Sequence, residues 1–154
     1  MRICSPGSFF LHRYYVALER TMYVDPVPDT AMKVWQSLTE IQEHGISLLR
    51  PGTRCCDIAH EINALLHEKD LLKNKLTGFG YSKGILGTYY GREAGLEIRE
   101  YNETALQPNM VLAMMVNNFV PGIGGFRDLD SVVITQDGPE QLTKAPRGPK
   151  HCIM

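Results

Sequence analysis

The sequence predicts an α+β domain, and three observations carry that reading: an aromatic and β-branched run early in the chain, two successive stretches of helical periodicity, and two continuous apolar runs further on. The first is YYVALERTMYV, residues 14–24, whose residue types suit a pleated, half-buried strand. Pro26 and Pro28 end it, because proline fixes φ and lacks a backbone donor. Asp29 or Thr30 then offers a helix cap, and apolar residues from Ala31 to Leu49 recur at helical spacing until Pro51-Gly52 stops them. A second helix is predicted from about Cys56, with Ile58, Ile62, Leu65 and Leu66 on one face, dissolving near Leu72.

Residues 78–104 contain six glycines, too many for regular structure, which marks this stretch as the most site-like part of the chain. MVLAMMVNNF, 110–119, and SVVIT, 131–135, read as strands separated by the turn-rich VPGIGGFRDLD, and Gln136-Asp137-Gly138 as a hairpin turn into PEQLT. The tail, 144–154, holds two prolines and a glycine and is expected to lie extended on the surface.

At 154 residues and 44% hydrophobic content, the chain suits one domain with a modest core. A net charge of −1 without long runs of one sign argues against nucleic acid or an anionic membrane as partner. No stretch approaches the ~18 apolar residues of a membrane span, and no signal peptide is recognised, so a cytoplasmic location is expected. The cysteines at 4, 55, 56 and 152 match no zinc motif and read as reduced thiols.

Several side chains invite chemistry. His60-Glu61 resembles the start of a zinc-protease helix motif, but position 64 is alanine where a second histidine is needed. His60 and His67 therefore read as part of a solvated face. Glu19 lies between Leu18 and Arg20, where an exposed ion pair is the plain reading. In GTYYGREAG, 87–95, Arg92 sits in a glycine loop that suits presentation of its planar fork to a carboxylate, beside Glu93. Tyr89 and Tyr90 read equally as core filler or as pocket walls. Met110, Met114 and Met115 read as core, and Gly122, Gly124 and Gly125 as a bulge or close approach near Arg127.

Taken together, YYVALERTMYVD, LLRPGTRCCDIAHEINALL, GFGYSKGILGTYYGREAGLEIRE and GGFRDLDSVVITQDGPEQLT resemble the creatinase family, a branch of a larger peptidase family with the pita-bread fold. The resemblance covers nearly the whole chain, with YYGREAG and ALERT specific to the creatinase branch. It implies a catalytic domain of which residues 1–154 are the C-terminal portion, with a divergent start at 1–10 and two helices packed on an antiparallel curved sheet. It implies a homo-oligomer, no cofactor, and a small-molecule substrate, creatine or a similar guanidino compound, hydrolysed to sarcosine and urea without metal. Glu19 would anchor the guanidinium and Arg92 the carboxylate, with Tyr89 or Tyr90 lining the pocket. The family's proton-transferring histidine lies upstream of the segment that matches.

The peptidase relatives hold two metal ions through carboxylates and a histidine. The positions here that match those ligands and can be aligned carry Ala17, Tyr81, Met115 and Leu129, none of them a usual ligand. Met115 also stands where the creatinases keep a second guanidinium-binding glutamate. Two alternatives to a hydrolase follow: a non-catalytic binding or assembly module, and, more weakly, a metal-dependent Xaa-Pro-type aminopeptidase.

Overall fold

The computed structural model describes residues 2–85 and 96–154, with the backbone alone for residues 2–11. The strands are β1 (Arg2–Leu11), β2 (Tyr14–Tyr23), β3 (Gly80–Ser82), β4 (Glu97–Ile98), β5 (Val111–Val120), β6 (Gly124–Thr135) and β7 (Gly138–Gln141). The helices are α1 (Asp29–Ser47) and α2 (Cys55–Glu68), and Leu72–Asn74 form a short 3-10 turn. Among the described residues the strands make one antiparallel sheet in the order β1-β2-β6-β5-β3-β4, with β7 also paired to β6.

Strand alternation decides which residues meet the helices. On β5 and β6, Leu112, Met114, Val116, Phe126, Val132 and Ile134 share one face and join Ala31, Trp35, Leu38 and Ile41 of α1 with Ile58, Ile62 and Leu66 of α2 in the main core. Tyr23 and Trp35 stack within it at 5.3 Å between ring centroids. Gly45 permits the close fit of α1 on the sheet, because a β-carbon there would stand 2.4 Å from the Met114 Cε. Gln42 adds a polar tie, donating to the Met114 carbonyl at 2.9 Å.

The predicted order of strand, two helices and strand group is the one observed, with differences at the boundaries. α1 is capped by Pro28 without a side-chain hydrogen bond, so neither Asp29 nor Thr30 caps it; Asp29 instead brings a negative charge to the positive end of the helix. β6 begins at Gly124, so most of the stretch read as turn-rich is strand. The glycine-rich stretch contains β3 and β4, and Gly80 belongs in β3 because a β-carbon there would lie 2.6 Å from the Ala113 carbonyl of β5. Gly80→Ala is expected to push β3 off β5 and lower stability by about 1–3 kcal/mol. Chemical denaturation checks this, and an unchanged midpoint would contradict it.

β1 was not foreseen, since Pro6 and Gly7 interrupt its pattern, yet its backbone pairs with β2 from Arg2 opposite Tyr23 to Leu11 opposite Tyr14. The connecting turn uses His12 and Arg13 at φ 48° and 69°, a conformation that side chains other than glycine seldom take, so no turn signal marks it. The tail, residues 144–154, is tied to the end of β2 by backbone hydrogen bonds. The Tyr23 amide donates to the Cys152 carbonyl at 3.0 Å, and the Met154 amide to the Tyr23 carbonyl at 2.9 Å, so the last residues run parallel to the end of β2.

Candidate functional site

Of the predicted site residues, Glu19 lies at the junction of β2 and β6, where side chains stand in for ladder bonds. Glu19 stands opposite Leu129 as the one bridging pair of this ladder among the described residues. On either side of it, side chains replace the ladder bonds. Ser131 Oγ accepts from the Ala17 amide and donates to the Ala17 carbonyl, both at 3.0 Å. Thr21 Oγ1 accepts from the Arg127 amide at 2.8 Å and donates to its carbonyl at 3.2 Å, while Asp128 accepts from the Thr21 amide at 2.8 Å. Hydroxyls and a carboxylate thus satisfy the backbone groups of two strands held too far apart to pair directly.

The face turned away from the helices carries Ala17 and Glu19 on β2, Arg127, Leu129 and Ser131 on β6, and Ala113 and Met115 on β5, with Tyr81 on β3 opposite Ala113. Ala17, Tyr81, Ala113, Met115 and Leu129 form a second apolar cluster, separate from the main core. Four of these five are the positions that the resemblance matches to metal-ligand positions. They are packed against one another and fully buried.

Glu19 lies at the edge of this cluster, 6% exposed, and its carboxylate forms an ion pair with the Arg127 guanidinium. Neither the exposed setting nor a pair with Arg20 is found; Glu19 and Arg20 alternate to opposite faces, Glu19 pairing with the part-exposed Arg127 and Arg20 with the buried Asp130. Burial pushes the Glu19 carboxyl above its ordinary range, and Arg127 and then Lys83 pull it back only in part. The protonated form is thus favoured by folding, and this contribution to stability is present below the ordinary carboxyl range and lost as pH rises through the raised value. Lys83 is itself buried, with its Nζ 5.0 Å from the Tyr81 ring centroid. It also lines a cavity of about 580 Å³ whose walls include Tyr15, Val16, Met110 and Leu112.

On the helix-facing side of the same strands, Arg20 donates to Asp130 at 2.6 Å, to the Glu19 and Leu129 carbonyls at 2.8 and 3.0 Å, and to the Ala145 and Pro146 carbonyls at 2.7 and 2.9 Å. Arg147 pairs with the other Asp130 oxygen at 3.0 Å. The sequence reading missed this network, because its members lie among other polar residues in segments far apart in the chain.

Arg92, Tyr89 and Tyr90 lie outside the described residues. His60 and His67 join no group of three or more histidine, cysteine or carboxylate side chains able to hold a metal, and no such group exists among the described residues. The donor chemistry agrees: a carboxylate already bound to arginine beside alanine, tyrosine, methionine and leucine does not fit a pair of hard divalent ions. Cys55, Cys56 and Cys152 are free thiols, as expected from their spacing. No helix among the described residues is long and apolar enough to cross a membrane.

Two helices on one face of an antiparallel sheet, superimposable with a TM-score of 0.87 on the prolidase of Pyrococcus horikoshii at 20% identity over 95% of this chain and 41% of that one, define the pita-bread fold. The model for metallopeptidase family M24 matches residues 5–136, and the chain belongs to that family. It is 46% identical over 145 residues to the creatinase of a Bacillus species, covering 92% of this chain and 35% of that protein. It is 28% identical over 147 residues to the Xaa-Pro dipeptidase of Pyrococcus furiosus, covering 92% and 39%. The chain therefore spans between a third and two-fifths of the length of these curated relatives.

Proposed function

We propose that the chain is the C-terminal portion of a creatinase-like catalytic domain that takes creatine or a related guanidino compound and hydrolyses a C–N bond without metal. The observation that carries this reading is that the buried Glu19 carboxylate already holds a guanidinium, that of Arg127. A ligand guanidinium offers the same charge and the same planar fork, so it exchanges with Arg127 rather than entering an empty site. Arg127 has somewhere to go, since about a third of its side chain, 35%, is exposed to solvent while Glu19 is not. The 46% identity to a creatinase supports the substrate class.

In this reading Glu19 orients the guanidinium carbon for attack by water, Arg92 takes the substrate carboxylate, and Tyr89 or Tyr90 lines the pocket. Water adds to that carbon, the bond to the methylated nitrogen breaks, and a proton returns to that nitrogen, so that creatine and water become sarcosine and urea. The proton transfers need a group poised to accept and donate. We assign that role to a histidine outside the matched segment, supplied by the remainder of the domain or by a second copy in a homo-oligomer.

Calorimetric titration with creatine, alongside a urea assay, tests the proposal. The unaltered chain is expected to bind, and Glu19→Gln to weaken binding at least about tenfold, because a charged hydrogen bond is worth about 1.5–3 kcal/mol. Unchanged affinity in Glu19→Gln would sink the role of Glu19.

A second reading is favoured by one observation, the apolar filling of the four former ligand positions. It is a binding or assembly module that keeps the fold without turnover. Creatine binding without urea release, together with self-association in sedimentation, would favour it over the hydrolase.

A further inference from the structure

The tail of the chain does more than cover the sheet. Beyond Glu19 and Leu129, β2 and β6 form no further ladder pair among the described residues, and residues 145–154 run from Arg20 to the Tyr23 end of β2. Arg20 holds the start of the tail through the Ala145 and Pro146 carbonyls, and the Tyr23 amide and carbonyl hold it further along through Cys152 and Met154. Gly148, at φ 79°, seats the middle of the tail against Thr39 of α1, where a β-carbon would come within 3.0 Å of the threonine methyl.

The same Arg20 guanidinium donates to the carbonyls of Glu19 and Leu129, the two residues that face each other across the seam. One planar group thus fixes the backbone of the site carboxylate, the backbone of its apolar neighbour and the tail in one geometry. Asp130 fixes Arg20 in turn, accepting from it and from Thr143 at 2.8 Å and Gln141 at 3.1 Å, while Arg147 of the tail completes the clamp on Asp130. A lysine at position 20 would keep the charge but has no fork with which to span five acceptors.

We infer that Arg20 is a positioning residue, and that the tail acts through it and Asp130 to set the width of the β2–β6 seam and hence the place of the Glu19 carboxylate. The inference rests on the proposed function only for ligand affinity; the placement of Glu19 is read independently.

The test follows the Glu19 carboxyl carbon by NMR in ¹³C-labelled protein through a pH titration, then measures creatine affinity. Two variants are used: Arg20→Lys, and the milder Arg147→Met, which leaves Arg20 in place and removes one arm of the clamp. A loosened seam admits water, so the Glu19 midpoint is expected to fall toward the ordinary glutamate value. Glu100 serves as the control, since Lys75 and Asn63 hold it at about 2, against the opposing effect of burial, far from the seam. It should not move. Creatine affinity should fall about tenfold in the same variants, the equivalent of about 1.4 kcal/mol.

A Glu19 midpoint unchanged in a folded Arg20→Lys or Arg147→Met variant would overturn the inference. Should Arg20→Lys fail to fold, Arg147→Met decides. A shifted midpoint with no creatine binding in any form, the unaltered chain included, would uphold the positioning role and sink the proposed ligand.

Discussion

Asp130→Ala is expected to lower the free energy of unfolding by about 3–5 kcal/mol, the cost of leaving buried charge without its partner. Asp130 has no solvent exposure, and it is the counter-ion of two guanidinium groups, Arg20 at 2.6 Å and Arg147 at 3.0 Å. Its removal leaves both arginines over 90% buried with only carbonyl acceptors, and it frees Thr143 and Gln141, which hold the start of the tail. Urea unfolding at neutral pH measures the effect. The isosteric Asp130→Asn keeps the shape and part of the hydrogen bonding, so it should fall between the two. A loss below about 1 kcal/mol for Asp130→Ala would mean that the charges are compensated by water, as at an exposed pair.

Met115→Glu, which places a carboxylate where the resemblance to the creatinases implies one, is expected to destabilise the fold by about 2–4 kcal/mol near neutral pH. Met115 is buried against Leu129, Tyr81, Ala113 and Ala17, and the nearest site carboxylate, Glu19, already has its arginine. The new group has apolar neighbours on every side in the cluster and a like charge at its edge. Both raise its pKa above the ordinary glutamate value. The sign follows: the protonated acid is tolerated, so the penalty is small below the ordinary range and grows as pH rises toward neutrality. Stability measured at about pH 5 and about pH 8 should therefore diverge in Met115→Glu far more than in the unaltered chain. Equal loss at both would show that the site accommodates a second charge, and would strengthen the case for a guanidinium ligand held by two carboxylates.

Much of the architecture was legible because it rests on local periodicity. α1 and α2 repeat their apolar residues at helical spacing, and β5 is a continuous apolar run, so each declares itself within a single window of sequence. β1 does not, because a proline and a glycine interrupt it and its turn uses His12 and Arg13 where glycine or asparagine would have been the signal. Nor does the docking of the tail, whose prolines and glycine read as an extended surface segment while its carbonyls serve Arg20. For the site, Glu19 was picked out together with the four replaced positions, and the structure gathers those four into one cluster. Its surroundings were not legible: the burial of Glu19 and its pairing with Arg127 depend on a register between strands from opposite ends of the chain. A strand reads as alternating along itself, and nothing in ALERT says which cation will arrive across from it.

The side-chain stitching of the β2–β6 seam has a kinetic consequence. Arg20 and Pro146 are 126 positions apart, and Ala17 and Ser131 are 114 apart, so the seam closes a long loop. The helices and the β5–β6 and β6–β7 hairpins need only near neighbours and form early. Until the last residues dock, Arg20, Asp130 and the amides of Ala17 and Thr21 must keep their water. The seam is therefore expected to close late in refolding and to be among the first places to open. Amides of β2 should then exchange with solvent sooner than those buried between β5 and α1.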